Sequence, residues 1–152
     1  MIQTWGAHSY VKKMLSDYEK MFGEPVPKRK NISSPLEEGD HPELDTSDLC
    51  GPEDTAKYMS MVGAMQWAVA LGRIDIHAAT MTMARFRTAP RQGHLDRLKR
   101  VYCYLRNYKK NAIKFRTDMP DYSGYKINEV SWGHVYHPCK EDIPSDMPEP
   151  RG

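Results

Sequence analysis

The chain has 152 residues, of which 39% are hydrophobic and 28% charged, and it contains 11 prolines. Because this is a low apolar content for a compact domain of that length, we expect one small core with extended segments around it. No run of about 18 apolar residues occurs, which excludes a membrane-spanning helix. The three widely spaced cysteines are expected to be free thiols in a reducing compartment.

The net charge of +2 conceals an uneven distribution of charge along the chain. Residues 85–116 contain 11 basic residues and a single acidic one, Asp96. The segments on either side, residues 1–84 and 117–152, each have four more acidic than basic residues. A strongly basic centre between acidic flanks indicates a polyanion as the binding partner.

The first predicted element is an amphipathic helix in residues 1–23. Ser9 is in position to cap it, Phe22 lies near its end, and Gly23 is a typical terminator. Its apolar face comprises Tyr10, Met14, Tyr18 and Met21, with Val11 and Leu15 alongside. Residues 24–51 contain four prolines and the basic run KRK before an acidic run. They are therefore predicted to form an extended linker on the surface.

A second helix is predicted from about Pro52 to Gly72, since proline is favoured in a first helical turn. Gly63 in its middle lowers helix stability, which suggests a close helix–helix crossing at that point. Trp67 is expected to belong to the core. The predicted buried stripe comprises Tyr58, Met61, Val62, Met65, Ala68 and Val69.

The third and fourth helices complete a predicted basic core, residues 52–116. Asp75 is expected to cap the third helix, Pro90 to stop it, and the fourth helix to span about residues 93–108. The alternation from Ala112 to Arg116 predicts a half-buried strand. The fold class is therefore mainly α: a small bundle of three to four helices, one short strand or hairpin, and extended Pro-rich arms. Residues 117–152 are predicted to form the second of these arms, an extended acidic tail.

The sequence contains no constellation typical of a catalytic or metal site. No Asp-Asp pair is present to hold the metal ions of a polymerase palm. The segment HVYHPC offers His134, His137 and Cys139 to a zinc ion, but a fourth ligand is not evident. Cys103 and His94 are nine residues apart on one helix and point to different sides. We therefore predict no catalytic residue, metal site or cofactor within this chain.

Basic residues of the third and fourth helices are instead predicted to contact nucleic acid. Arg97 and Arg100, three residues apart, are expected to share a solvent face, with Tyr104 and Tyr108 packed or stacked beside it. Because no feature indicates base-specific recognition, contacts to the phosphate backbone are expected. The predicted contact residues are Arg85, Arg87, Arg91, His94, Arg97, Lys99, Arg100, Arg106, Lys109 and Lys110.

Residues 58–115 resemble the Pol polyproteins of copia-type long-terminal-repeat retrotransposons. The segments PLEEGDHPELD at 35–45 and DIPSDMPEPRG at 142–152 are similar as well. The positions that carry the resemblance are Tyr58, Gly63, Trp67, Arg73, Asp75, Ile76, Pro90, His94, Lys99, Arg100, Tyr104 and Leu105.

The resemblance implies the thumb and connection region of a reverse transcriptase, between the polymerase palm and ribonuclease H. It implies that residues 52–116 are thumb-like and that the acidic tail leads toward ribonuclease H. The implied partners are an RNA–DNA hybrid or DNA duplex and the two adjacent domains, which would hold the Mg²⁺ ions and the catalytic residues. It also implies an intracellular location, either cytoplasmic within a particle or nuclear.

Two other interpretations remain open at this point. The third and fourth helices, joined by a short Pro-Arg-Gln-Gly turn, superficially suggest a stand-alone helix-turn-helix module that prefers one DNA sequence. Alternatively, the chain is a protein-interaction fragment whose acidic arms dock on its own basic centre or on neighbouring domains.

Overall fold

A computed structural model of the chain describes residues 2–116 and 123–124. Its elements in chain order are β1 (Ile2–Trp5), α1 (His8–Phe22), α2 (Pro52–Ala70), α3 (His77–Ala84), α4 (Gln92–Asn107) and β2 (Ile113–Arg116). Single 3-10 turns at Pro42–Leu44 and Ile74–Ile76 precede α2 and α3, respectively. This architecture confirms the predicted mainly helical bundle. None of the described helices has the length and apolar character needed to cross a bilayer.

The core lies where α1, α2 and α4 pack against one another, with α3 packed on α2 and α4. It is rich in methionine and tyrosine, and Tyr58 satisfies its buried hydroxyl by donating to the carbonyl of Met83 at 2.8 Å. The predicted stripe of α2 is buried, apart from a partly buried Val69. The largest apolar side chains of the core are Tyr18, Tyr58, Tyr102, Met61, Met65, Ile76, Met83, Leu95, Leu98 and Leu105.

Two predicted helix caps are wrong, and one terminator is confirmed. The first helix begins at His8 after Ala7, without a side-chain cap, so Ser9 lies inside its first turn. Asp75 does not cap the third helix because it lies within the Ile74–Ile76 turn. Gly23 ends α1 with a left-handed φ of 71°, and its amide donates to the Glu19 carbonyl at 2.8 Å.

The predictions for the middle of α2 also need correction. None of the described helices crosses at Gly63, since a Cβ built there has nothing within 4 Å. Trp67 is 58% exposed and lies outside the core. The physical reason is that positions 63 and 67, four residues apart, share one helix face, and the buried stripe occupies the opposite face.

The predicted strand is present as β2, but its partner was not predicted. β1 pairs with it antiparallel, with Ile2 opposite Arg116 and Trp5 opposite Ile113. Trp5 Nε1 also donates to the carbonyl of Leu71 at 2.9 Å, which connects the sheet to the end of α2. The sheet therefore pairs the segment before α1 with the segment after α4.

Residues 24–51, here called the arm, connect α1 to α2 without any helix longer than the Pro42–Leu44 turn. The arm follows the outside of the bundle and buries Val26, Ile32 and Pro42 against it. A backbone bridge between Leu49 and Arg91 pairs its last part with the residue before α4. The predicted acidic tail and the HVYHPC segment lie outside the described residues, except for positions 123–124.

Candidate nucleic-acid interface

The ten predicted contact residues separate into three groups in the structure. The first group lies beneath the arm at the start and middle of α4 and comprises Arg91, His94, Arg97 and Arg100. The second lies at the C-terminal end of α4 and comprises Arg106, Lys109 and Lys110. The third group is scattered and comprises Arg85, Arg87 and Lys99.

Arg97 is bound by two carboxylates of the arm. Its Nε and NH2 donate to the two oxygens of Asp40, each at 2.8 Å, and its NH1 donates to Asp45 Oδ2 at 2.5 Å. Hydrogen bonds from Ser47 and from Arg97 lower the pKa of Asp45 from 3.8 to about 2. The hydrogen bond to Asp40 in turn raises the pKa of Arg97. Arg97 is thus fully paired inside the molecule.

Arg100 is paired less completely. Its NH1 donates to Glu37 Oε1 at 2.8 Å, while its Nε is buried without a hydrogen-bond partner among the described residues. The expected open solvent face of Arg97 and Arg100 is therefore wrong for this conformation, because acidic residues of the arm cover it. A contact of either arginine with nucleic acid stays a prediction.

His94 and Arg91 attach the arm to the beginning of α4. His94 is 3% exposed; its Nδ1 accepts the Arg91 amide at 3.1 Å, and its Nε2 donates to the Pro42 carbonyl at 2.9 Å. Arg91 NH1 donates to the carbonyl of Ser47 at 2.5 Å. The Ser47 hydroxyl accepts the Gly93 amide at 2.9 Å, so the arm supplies the cap of this helix.

The C-terminal end of α4 forms an open basic groove of about 530 Å³ together with the beginning of the arm. Two contacts fix the arm there: Arg106 donates to the Val26 carbonyl, and Asn107 Nδ2 donates to the Arg29 carbonyl at 2.7 Å. Among the residues that the structure describes, no carboxylate lines the groove. Its lining residues are Lys28, Lys30, Arg106, Asn107, Tyr108 and Lys109.

Lys28 and Lys30 were not among the predicted contacts. The KRK run was visible in the sequence, but 76 residues separate Lys30 from Arg106, and no local pattern indicates that they meet. Tyr108 packs against Tyr104 with ring centroids 4.8 Å apart. Tyr108 is partly exposed and presents an aromatic surface beside the cations.

The scattered group contributes less to a common surface. Arg85 and Arg87 are exposed after α3, and neither forms an ion pair within 4 Å in the part of the chain that the structure describes. Lys99 is paired with Asp96 at 3.4 Å and lies 5.3 Å from the centroid of the Phe22 ring.

Two residues that match the retrotransposon pattern, Arg73 and Asp75, form a structural ion pair. Arg73 is 1% exposed and donates to Asp75 at 2.8 and 2.7 Å. Tyr104 and Asn111 donate to the same carboxylate at 3.1 and 3.2 Å. Burial acts to raise the pKa of Asp75, but these hydrogen bonds and the Arg73 charge bring it below its usual value. The pair connects the α2–α3 turn to the end of α4.

Cys103 and His94, the two residues considered for covalent chemistry, are both buried. Burial raises the pKa of the Cys103 thiol, which disfavours the nucleophilic thiolate, and both nitrogens of the His94 ring are already used. Within residues 2–116, no group of three or more His, Cys, Asp or Glu side chains is placed to hold a metal ion.

A known protein is similar to most of this chain. A putative transposon Ty5-1 protein of Saccharomyces cerevisiae is 29% identical over 112 residues, which cover 74% of this chain and 32% of that protein. The matched part of the chain thus spans about a third of the length of this relative. No protein-family model matches the chain, and no solved structure matches it. The similarity supports a retrotransposon-derived sequence.

Proposed function

We propose that this chain is part of a retroelement reverse transcriptase and grips the primer–template duplex through its sugar-phosphate backbone, without catalytic residues of its own. The similarity to a transposon protein supports a retroelement origin. The ordered matches in residues 58–115 support the finer assignment to the thumb and connection of a copia-type Pol polyprotein. In the longer protein, the adjacent palm and ribonuclease H domains would supply Mg²⁺ and catalysis.

The observation that carries the binding proposal is the basic groove. Four cations converge in it from two distant parts of the sequence, and within the described part of the chain no carboxylate lines it to neutralise them. Phosphate contacts need such a surface of one sign, because binding to nucleic acid is driven by the release of condensed counterions. Lysine and arginine at a groove edge recognise phosphate without base preference, which suits an enzyme that moves along its template.

A salt titration of duplex binding by the whole chain tests the proposal. We expect an RNA–DNA hybrid and a DNA duplex of random sequence to bind with similar affinity. If the four groove cations each neutralise one phosphate, the log–log slope of affinity against salt is about −3 to −4. Lys28→Glu/Lys30→Glu should weaken binding by roughly tenfold or more and make the slope shallower.

Lys12→Glu/Lys13→Glu provides the matched control. Both are exposed lysines of α1 outside the lining of the groove, so the same reversal of two charges should change affinity much less. Affinity that does not depend on salt, or equal losses for groove and control variants, would contradict the proposal. Preference for one DNA sequence would favour the helix-turn-helix interpretation instead.

The docked arm favours one competing function, that of a protein-interaction fragment. Asp40 and Asp45 form ion pairs with Arg97, as the carboxylates of an acidic partner protein would. If the chain binds neither duplex but forms a complex with the palm or ribonuclease H domain of the same element, this second function replaces the first.

A further inference from the structure

The part of the arm above Arg97 and Arg100 is held to the helices almost entirely by charge. This acidic loop comprises residues 33–41. Within residues 2–116, its hydrogen bonds to the helical body go only from Arg97 to Asp40 and from Arg100 to Glu37. Leu36 adds a partly buried apolar contact. The loop lies between two buried anchors, Ile32 and Pro42, which hold the arm independently of these ion pairs.

Beneath the acidic loop, Arg100 has a hydrogen-bond donor and Arg29 a charge that the loop does not pair. The buried Nε of Arg100 has no hydrogen-bond partner among the described residues, although a buried guanidinium normally satisfies its donors. A cavity of about 230 Å³ opens beside it, lined by Arg29, Arg97 and Arg100 together with Glu37, Asp40 and Asp96. Arg29 forms no ion pair within 4 Å in the described part of the chain.

We propose that Arg29, Arg97 and Arg100 form a second phosphate site, which the acidic loop covers and which a nucleic-acid backbone opens by displacing Glu37 and Asp40. The inference rests on the proposed function. The carboxylate of Asp40 is held by two parallel hydrogen bonds, the geometry in which arginine also binds phosphate. Asp45 stays in place, because Ser47 holds it at the start of α4.

Electrostatics favours exchange at this position. Glu37 is largely exposed, so water and salt screen its ion pair with Arg100, and such pairs contribute little to stability. A duplex presents an array of phosphates. These can replace the carboxylates of Glu37 and Asp40, and the release of counterions from the duplex favours the exchange. In the covered state the basic groove stays accessible while the loop covers Arg97 and Arg100, so a polyanion too short to reach the loop meets the weaker site.

The first test compares two variants that remove the same charge from the arm. Glu37→Gln/Asp40→Asn uncovers the arginines. Glu38→Gln/Asp48→Asn neutralises two exposed acidic residues that form no ion pair with Arg97 or Arg100. We expect the first variant to bind duplex several-fold more tightly and to steepen the salt slope by about 1.8, which corresponds to two further phosphates. The control should keep the wild-type slope. Equal effects of the two variants would overturn the proposal.

A third variant identifies the arginines as the cause. Adding Arg97→Gln/Arg100→Gln to Glu37→Gln/Asp40→Asn should abolish the gain in affinity and in slope. A gain that survives would overturn the proposal. Urea unfolding curves of each variant, measured in parallel, show that the compared proteins are folded.

A spectroscopic test follows the site in the wild-type chain. The side-chain Nε–H signals of Arg97 and Arg100 should shift when duplex is added, whereas that of the buried Arg73 should not. Unchanged signals in a chain that does bind duplex would refute the second site and leave the proposed function intact. Absence of any duplex binding would refute the proposed function. The last measurement adds sodium phosphate at matched ionic strength in place of duplex. If phosphate alone produces the full shift, the site binds free phosphate, and its assignment to a nucleic-acid backbone is wrong.

Discussion

Replacing Gly93 by alanine tests whether the arm is docked on α4 as the structure describes. Gly93 is the second residue of α4, and a Cβ added to it would overlap Asp45 Oδ2 and lie 2.8 Å from its Cγ. Asp45 cannot move freely, because it accepts the Ser47 amide at 2.9 Å and an Arg97 hydrogen bond at 2.5 Å. Breaking one charge-assisted bond of this kind costs about 1.5–3 kcal/mol. Alanine regains at most about 1 kcal/mol of helix propensity.

We therefore expect Gly93→Ala to lower the free energy of unfolding by about 1–2 kcal/mol. Gly63→Ala is the matched control, since it makes the same substitution in a helix where a Cβ meets nothing within 4 Å. That variant should raise the free energy of unfolding by about 0.5–1 kcal/mol. Urea denaturation followed by circular dichroism measures both. If the two variants are stabilised equally, Asp45 is not held against the start of α4, and the reasoning is refuted.

Three further predictions concern stability, pH and thiol reactivity. Asp75→Ala leaves the Arg73 guanidinium buried without its partner and should lower the free energy of unfolding by about 3 kcal/mol in urea denaturation; a loss below about 1 kcal/mol would show that the pair contributes little. Because the pKa of Asp45 is lowered to about 2, its contribution is complete above the unfolded value of 3.8 and is lost as the pH falls toward 2. Asp45→Asn should therefore flatten the acid limb of stability against pH between 4 and 2, and an unchanged limb would contradict this origin. Brief alkylation followed by peptide mapping should label Cys50 before the buried Cys103, and equal labelling would show that Cys103 is accessible.

The helices could be predicted because their determinants are local. The apolar residues of α2 recur at the helical period, so Tyr58, Met61 and Met65 indicate both the helix and its buried face. Gly23 ends α1 for a reason that belongs to glycine itself, its tolerance of positive φ. Neither inference requires knowledge of what else packs nearby.

The candidate site could be predicted only in part, since its pairings join distant residues. Asp40 and Arg97 are 57 residues apart, and Val26 and Arg106 are 80 apart. Counting charges in separate segments showed an acidic segment at residues 1–84 and a basic centre, but it could not show that part of the first covers part of the second. The β1 strand was missed for the same reason, because its pairing depends on residues more than 100 positions away.

The pairing of β1 with β2 determines how the helical body responds to tension in the chain. Ile2 and Arg116 form the outermost pair of the ladder, and Trp5 and Ile113 form the pair nearest the helices. A pull on the chain at Ile2 and Arg116 is perpendicular to the strands and breaks the pairs one after another, instead of shearing them together. The sheet would therefore yield first, at low force, and lengthen the connection before the load reaches the helices. The packed core would stay undisturbed until the ladder has opened.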